Sequence, residues 1–324
     1  VKRKTAIGVD LMGSDNAPPM ILDALRTIPP FPDVEILAIG APEFALGCPF
    51  PFQSAADSIA MEENPLAALR KKKGASLCVG LRLLKEGKID AFVSAGNTGA
   101  LVTASKMILS PLPNVLRPAL LALMPTKKRP VAVLDVGANV QVKAAHLVQF
   151  AFLGAAYLQS RGHAHPSVGL LNIGAEALKG TSELRLAYHE LQTLQKPPFR
   201  FAGNIEGKSV FDGEVDALVT DGFTGNVFLK TAEGIANLIL DRMHTALSKE
   251  AIHNLGPQFL DLQKHLHYAE YPGALLAGVR GIVIKCHGYS TPQAFVSGVR
   301  GAIDLAREGF MKIFEDKVLN YGRF

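Results

Sequence analysis

The stretch Leu218-Val-Thr-Asp221-Gly222-Phe-Thr224-Gly225-Asn226 passes from an apolar, strand-like run through a Gly/Asn turn into a segment with helical spacing. The same pattern recurs at Phe92-Val-Ser-Ala-Gly96-Asn97-Thr98-Gly99, at Val133-Leu-Asp135-Val-Gly137-Ala-Asn139 and at Phe201-Ala-Gly203-Asn204-Ile-Glu-Gly207. Glycine supplies the positive φ that such turns need, and asparagine tolerates left-handed geometry while offering an amide. A strand-to-helix turn also exposes backbone N–H groups at the positive end of a helix dipole, which suits an anion. Turns of this kind, rich in Asn and poor in acid–base side chains, point to a cleft that holds a phosphate-like group by amides.

Outward from these turns the chain keeps one rhythm. Strand-like runs at 6–10, 34–39, 89–94, 120–124, 131–135, 167–173, 199–202, 216–220 and 281–286 alternate with helical patterns at 76–85, 144–159, 181–193, 226–247 and from Pro292 onward. Short apolar strands alternating with helices predict a three-layer α/β/α sandwich around a mostly parallel sheet, covered on both faces. Ligands of such sheets bind beyond the carboxyl ends of the strands. The expectation is a single α/β domain over residues 1–324. One segment, 241–270, breaks the rhythm as two amphipathic helices joined at Gly256-Pro257, a hairpin whose apolar face needs a second subunit, a membrane or the same core.

Composition narrows the classes. The 324 residues are 48% hydrophobic and 19% charged, with 30 glycines, which fits a compact α/β enzyme. A formal charge of +5 is too weak and diffuse for nucleic-acid binding, though it permits an acidic partner or an anionic membrane. Cys48, Cys78 and Cys286 are odd in number and widely spaced, predicting reduced thiols in a cytosolic protein. The start, Val1-Lys-Arg-Lys4, runs into an apolar stretch broken by Asp10, so no signal peptide is expected.

Several familiar motifs fail. Gly203-Asn-Ile-Glu-Gly207-Lys208-Ser209 has three residues between its glycines where a P-loop needs four. No G-x-G-x-x-G follows a strand, and neither G-x-S-x-G nor H-E-x-x-H occurs. The pairs His163/His165 and His265/His267 lack supporting carboxylates or thiols, so neither a metal nor a cofactor is expected. Lys285 and His287 flank Cys286 on one face at a strand end, Lys179 follows another strand, and Arg70-Lys-Lys-Lys73 is the densest basic run.

Taken in order, the stretches Val9-Asp10-Leu-Met-Gly13-Ser-Asp15, Ala68-Leu-Arg-Lys-Lys-Lys73, Ser94-Ala-Gly-Asn-Thr-Gly-Ala100, Leu134-Asp-Val-Gly-Ala-Asn139, Gly169-Leu-Leu-Asn-Ile-Gly174, Lys179-Gly180, Gly203-Asn-Ile-Glu-Gly207, Thr220-Asp-Gly-Phe-Thr-Gly-Asn226 and Val283-Ile-Lys-Cys-His-Gly288 resemble the phosphate acyltransferases of bacterial phospholipid synthesis, the PlsX type. The likeness departs from the family pattern at Ser14, Ala175 and Tyr289.

The resemblance implies a fold like those of phosphotransacetylase and isopropylmalate dehydrogenase. It implies acyl transfer from acyl carrier protein to inorganic phosphate, a homodimer, and a cytoplasmic protein peripherally associated with membrane. The basic run would then dock the acidic carrier.

The residues fit direct attack of phosphate on a thioester, which needs positioning and an oxyanion donor more than a nucleophilic side chain. The turns holding Gly96, Asn97, Thr98 and Gly99 and holding Asp221, Gly225 and Asn226, with Asn139 and Asn204, are the expected substrate cradle. Lys179 would add charge, Asn226 an amide, and His287 a proton for the departing thiolate. The oxyanion donor could instead be backbone. Rival functions are a dehydrogenase of the isopropylmalate type, a phosphotransacetylase using acetyl-coenzyme A, and a non-catalytic membrane scaffold.

Overall fold

A computed structural model of the chain describes residues 3–15, 18–246, 256, 273–287 and 291–322. The strands are β1 (Thr5–Asp10), β2 (Val34–Gly40), β3 (Phe52–Ser54), β4 (Ala91–Ser94), β5 (Ala119–Met124) and β6 (Val131–Leu134). They continue as β7 (Ser167–Asn172), β8 (Arg200–Glu206), β9 (Ala217–Val219), β10 (Ala274–Ala277) and β11 (Ile282–Lys285). The helices are α1 (Pro18–Arg26), α2 (Pro65–Lys71), α3 (Ser76–Lys85), α4 (Thr98–Ile108) and α5 (Ala144–Ser160). After these come α6 (Ser182–Thr193), α7 (Gly207–Val210), α8 (Gly222–Ala246), α9 (Pro292–Arg307) and α10 (Phe310–Asn320).

Local chemistry sets the helix starts. The side chains of Asn64, Asn97, Thr181 and Thr291 each accept a hydrogen bond from the backbone N–H three residues on, satisfying a donor that the first turn leaves open. Pro65 and Pro292 follow two of these caps, where a missing N–H costs nothing. Side-chain alternation then builds the layers. Ile7 and Val9 of β1, Ala91 and Val93 of β4, and Ala132 and Leu134 of β6 face one core with α1, α5, α9 and α10. Ala6, Phe92, Val131 and Val133 face the other, with α3 and α4. The α/β/α sandwich expected from the sequence is the observed arrangement.

All eleven strands form one sheet in the order β3-β2-β1-β4-β11-β10-β5-β6-β9-β7-β8. Pairing is parallel from β3 through β11 and again from β6 through β8. In between, β10 is antiparallel to both β11 and β5, and β5 is antiparallel to β6. The two parallel sets therefore run in opposite directions, yet their carboxyl ends meet, because Val93, Ile284, Leu134 and Val219 lie on one row of the sheet across β10 and β5. The Gly/Asn turn after β4 thus forms one edge of a central crevice, and those after β6, β8 and β9 the other.

Three local expectations change. Strand β10, Ala274-Leu-Leu-Ala277, is an element of its own after the expected helical stretch, because four apolar residues carry no period by which the sequence marks them. Helix α8 starts at Gly222 rather than Asn226, because Asp221 caps it through Thr224. The final helix divides at Gly309, whose φ of 66° ends one helix and opens the next. Of the segment 241–270, residues 241–246 continue α8, and the remainder apart from 256 lies outside the described residues.

Candidate functional site

At the first edge the neighbouring strands β1, β4 and β11 bring a buried charged cluster together. Asp10 ends β1, is 1% exposed, and accepts from Ser94 Oγ at 2.8 Å and from the Met12 N–H at 3.0 Å. Ser94 Oγ in turn accepts from the Gly96 N–H at 3.1 Å. Lys285, 8% exposed at the end of β11, donates from Nζ to the carbonyl of Ala95 at 3.3 Å and to that of Cys286. Burial pushes the Asp10 carboxyl up to about 6, against hydrogen bonds from Ser76, Met12 and Ser94. Burial also pushes the Lys285 ammonium down to about 8, helped by the positive charge of Lys230.

The Asn97 amide at this edge is engaged within the protein. Its Nδ2 donates to the carbonyls of Ala60, Met61 and Glu63 at 3.2, 2.9 and 3.2 Å, while Oδ1 caps α4 through the Ala100 N–H. Asn97 therefore fastens the 60–63 loop rather than turning its amide to a ligand. Thr98 and Gly99 lie in the first turn of α4, and a Cβ on Gly99 would meet Pro65 Cγ at 2.7 Å, so that glycine serves close packing. The fastened loop also locates the basic run. Glu63 receives Lys72 Nζ at 2.7 Å, which leaves Arg70, Lys71 and Lys73 exposed beside the turn.

The second edge is organised by Asp135, fully buried after β6 and preceded by a cis peptide bond. Its Oδ1 accepts from the N–H groups of Leu120, Gly137 and Ala138, and its Oδ2 from the N–H and Nδ2 of Asn139. Asn139 Nδ2 also donates to the Pro118 carbonyl, and its own carbonyl accepts from the Gly222 N–H at 2.8 Å. Asn139 is thus a strap holding the start of α8. The glycines of that start are required by contact: a Cβ on Gly222 would meet Asn139 backbone at 2.7 Å, and one on Gly225 the Asp135 carbonyl oxygen at 2.0 Å. Asp221 caps α8 by accepting from Thr224 N–H at 2.9 Å and Oγ1 at 2.7 Å. A carboxylate so occupies the positive end of α8, the place the sequence reading gave to an anion.

Lys179 and Asn204 belong to a third group, on β7 and β8. Asn172 Nδ2 donates to the Lys179 carbonyl and Asn204 Nδ2 to that of Glu176, so both amides hold the loop 173–180. Asn204 Oδ1 is buried and accepts no hydrogen bond among the described residues. The Lys179 side chain is exposed and has no ion pair among them.

Helix α8 joins the two edges. It packs on the sheet through Phe228, Leu229 and Ala232, running from the Asp135 turn back toward the end of β11. Asn226, Lys230 and Glu233 recur at i, i+4 and i+7 and so share one face. Asn226 lies 3.8 Å from where a Gly137 Cβ would sit, and its amide makes no side-chain hydrogen bond among the described residues. One turn on, Lys230 Nζ lies 2.5 Å from His287 Nε2, just beyond β11. Lysine only donates, so this Nε2 is the acceptor and the ring proton is on Nδ1. Enclosure by its neighbours, with the charges of Lys230 and Lys285, pushes the imidazole below its ordinary value.

Of the sequence-derived residues, the structure thus unites Asn226 with His287 through Lys230, and gathers Asn139, Asp221 and Gly225 around Asp135. Asn97, Lys179 and Asn204 stand apart from both groupings. Sequence reading missed Asp10, Ser94, Lys230 and Lys285 as one cluster. Lys230 carried a usable signal, since it follows Asn226 by four residues in a helical pattern. Among the described residues no three His, Cys, Asp or Glu side chains are placed to hold a metal ion.

Known proteins resemble this chain in sequence and in fold. The profile of a family described as fatty acid synthesis protein matches residues 5–313. A phosphate acyltransferase from Chlamydia caviae is 42% identical over 316 residues, covering 93% of this chain and 95% of its own. One from Staphylococcus epidermidis is 41% identical, covering 96% and 98%. The fold is that of the EutD phosphotransacetylase from Staphylococcus aureus, with a TM-score of 0.59 at 16% identity over 94% of each chain. With a family profile spanning nearly its whole length and relatives above two-fifths identity, the chain belongs to the phosphate acyltransferase family of the PlsX type.

Proposed function

We propose that this protein transfers a long-chain acyl group from acyl carrier protein to inorganic phosphate, supplying acyl phosphate for phospholipid synthesis. A phosphate oxygen attacks the thioester carbonyl carbon and forms the new C–O bond. The C–S bond then breaks, and the carrier's thiolate leaves and takes up a proton. The observation that carries this reading is the Asn226 amide, which makes no hydrogen bond among the described residues, one helical turn from the Lys230–His287 pair, in a chain whose relatives are phosphate acyltransferases. Asn226 is the donor for the carbonyl oxygen as it becomes an oxyanion. The proton for the thiolate comes from the Lys230–His287 pair, which in this geometry stores it on Lys230 rather than on Nε2. Lys179 adds positive charge from the β7 side.

The partners follow the same reading. Exposed Arg70, Lys71 and Lys73, fastened beside the Asn97 turn, suit an acidic carrier protein. Helix α8 exposes Phe223, Val227 and Leu238 at 63%, 51% and 53%, an apolar stripe that supports a homodimer. Among the described residues no helix is long and apolar enough to cross a membrane. Peripheral attachment from the cytoplasmic side is assigned to the 241–270 segment, and the continuous sheet supports a single domain.

Purified protein with palmitoyl-acyl carrier protein and inorganic phosphate should give a product trapped by hydroxylamine as the hydroxamate. Acetyl-coenzyme A should compete poorly as donor. Absence of phosphate-dependent hydroxamate from folded protein refutes the proposal.

A further inference from the structure

The reaction needs a cation for phosphate, and the exposed lysines near the two edges are not equivalent. Lys179 sits in the loop after β7, beside Gly174 and Glu176, with β9 between its strand and β6. Lys230 is on the helix face that carries Asn226 and is the residue of α8 that reaches the β11 end. Its ammonium has three N–H donors, of which the His287 imidazole takes one. The other two remain for a ligand, since no other partner of Nζ occurs among the described residues. Behind the pair, Lys285 is buried with its Nζ fixed by the Ala95 and Cys286 carbonyls, a second positive charge that cannot move away. Two cations suit a phosphate dianion.

Spacing agrees. Successive positions i and i+4 on a helix are separated by about 6 Å along its axis. Asn226 and Lys230 share one face of α8, so an anion on Lys230 Nζ and a carbonyl polarised by the Asn226 amide are brought to the same side of the helix, as attack at about 3–3.5 Å requires. A phosphate on Lys179 has no such relation to Asn226 in the described contacts.

We propose that Lys230 is the residue that binds the attacking inorganic phosphate, with His287 as the positioning residue that aims its ammonium and Lys285 as the buried cation behind them. This rests on the acyl-transfer reading above and specifies the site of its second substrate. The phosphate meant is the free inorganic ion, not the phosphodiester on the carrier's prosthetic arm.

The test uses the full chain in two measurements. In the first, the melting temperature of the wild type, K230M and K230Q is followed with inorganic phosphate against chloride of equal ionic strength. Phosphate should raise the wild-type value and leave both variants unmoved; an equal rise in the variants overturns the proposal, as does no rise in the wild type. K230Q retains a donor to His287 and so reads the loss of charge on a second background. In the second, hydroxamate formation is measured against each substrate. The KM for phosphate should rise roughly tenfold to a hundredfold in K230M, the loss expected for a charge-assisted bond, with the KM for acyl carrier protein unchanged. H287N, which keeps an acceptor for Lys230, should show a smaller rise in phosphate KM. A rise in carrier KM instead would assign the site to the prosthetic arm and refute the assignment. If the wild type binds phosphate through Lys230 but forms no acyl phosphate, the functional reading fails and the site stands. Normal turnover with unchanged phosphate KM in K230M gives the reverse.

Discussion

Replacing Asp135 by Asn keeps shape and removes one acceptor from a fully buried position that serves five donors. The least costly orientation keeps the amide oxygen at the Oδ1 position, where Leu120, Gly137 and Ala138 donate. The new NH2 then faces the Asn139 N–H and Nδ2, donor against donor. Nδ2 retains the Pro118 carbonyl, but the Asn139 N–H loses its partner altogether. Hydrogen bonds to a charged group are worth about 1.5–3 kcal/mol each, so losing two costs about 3–6 kcal/mol. Part of this is offset because a buried charge has also been removed, leaving about 3–4 kcal/mol. A chain of this length has an unfolding entropy near 0.7 kcal/mol per degree, so the melting temperature should fall by about 5 °C. Circular dichroism during thermal unfolding measures this. Activity should fall too, because the Asn139 carbonyl holds Gly222 and hence the start of the helix that aims Asn226. A D135N protein melting within about 1 °C of wild type, with normal turnover, would show that the Asp135 strap does not organise the second edge.

The Asn226→Ala variant should keep its melting temperature, because that amide makes no hydrogen bond among the described residues, yet lose about a hundredfold or more in kcat by hydroxamate trapping, as for a lost oxyanion donor. Asn97→Ala removes a helix cap and the fastening of the 60–63 loop, and should destabilise by about 1–3 kcal/mol in urea unfolding while raising the KM for acyl carrier protein through the loosened basic run. Asp10, with its folded carboxyl at about 6 against 3.8 ordinarily, holds a proton that the unfolded chain gives up across that window. Stability should therefore fall as pH rises from about 4 to 6, and D10N should flatten the slope of the urea midpoint over that range.

The sequence by itself determined the layers. Alternating apolar strands and helical segments, closed by Asn and Thr caps and by glycines at turns, require a sheet covered on both faces, because each element must bury its apolar side and satisfy its first-turn donors. Asn226 and His287, the residues proposed for the reaction, stand out in the sequence for the same local reason, each ending or following a strand in a turn. Strand direction was not legible. A four-residue apolar run such as β10 is compatible with either orientation, and three successive antiparallel pairings, β11 with β10, β10 with β5 and β5 with β6, turn half of the sheet over.

That reversal decided which turns meet. It sent the Asn97 turn to one edge and the Asp135 and Asp221 turns to the other, and left α8 as the element that spans them. The roles of the asparagines were also set by tertiary contacts. Asn97 and Asn139 look like ligand amides in sequence, but carbonyls 37 residues back and 21 residues back claim them. Lys285 beside His287, and Lys230 four residues after Asn226, are each visible in their own segments, but the two lysines meet around His287 only because helix α8 packs across the end of β11, a long-range outcome that no local pattern encodes.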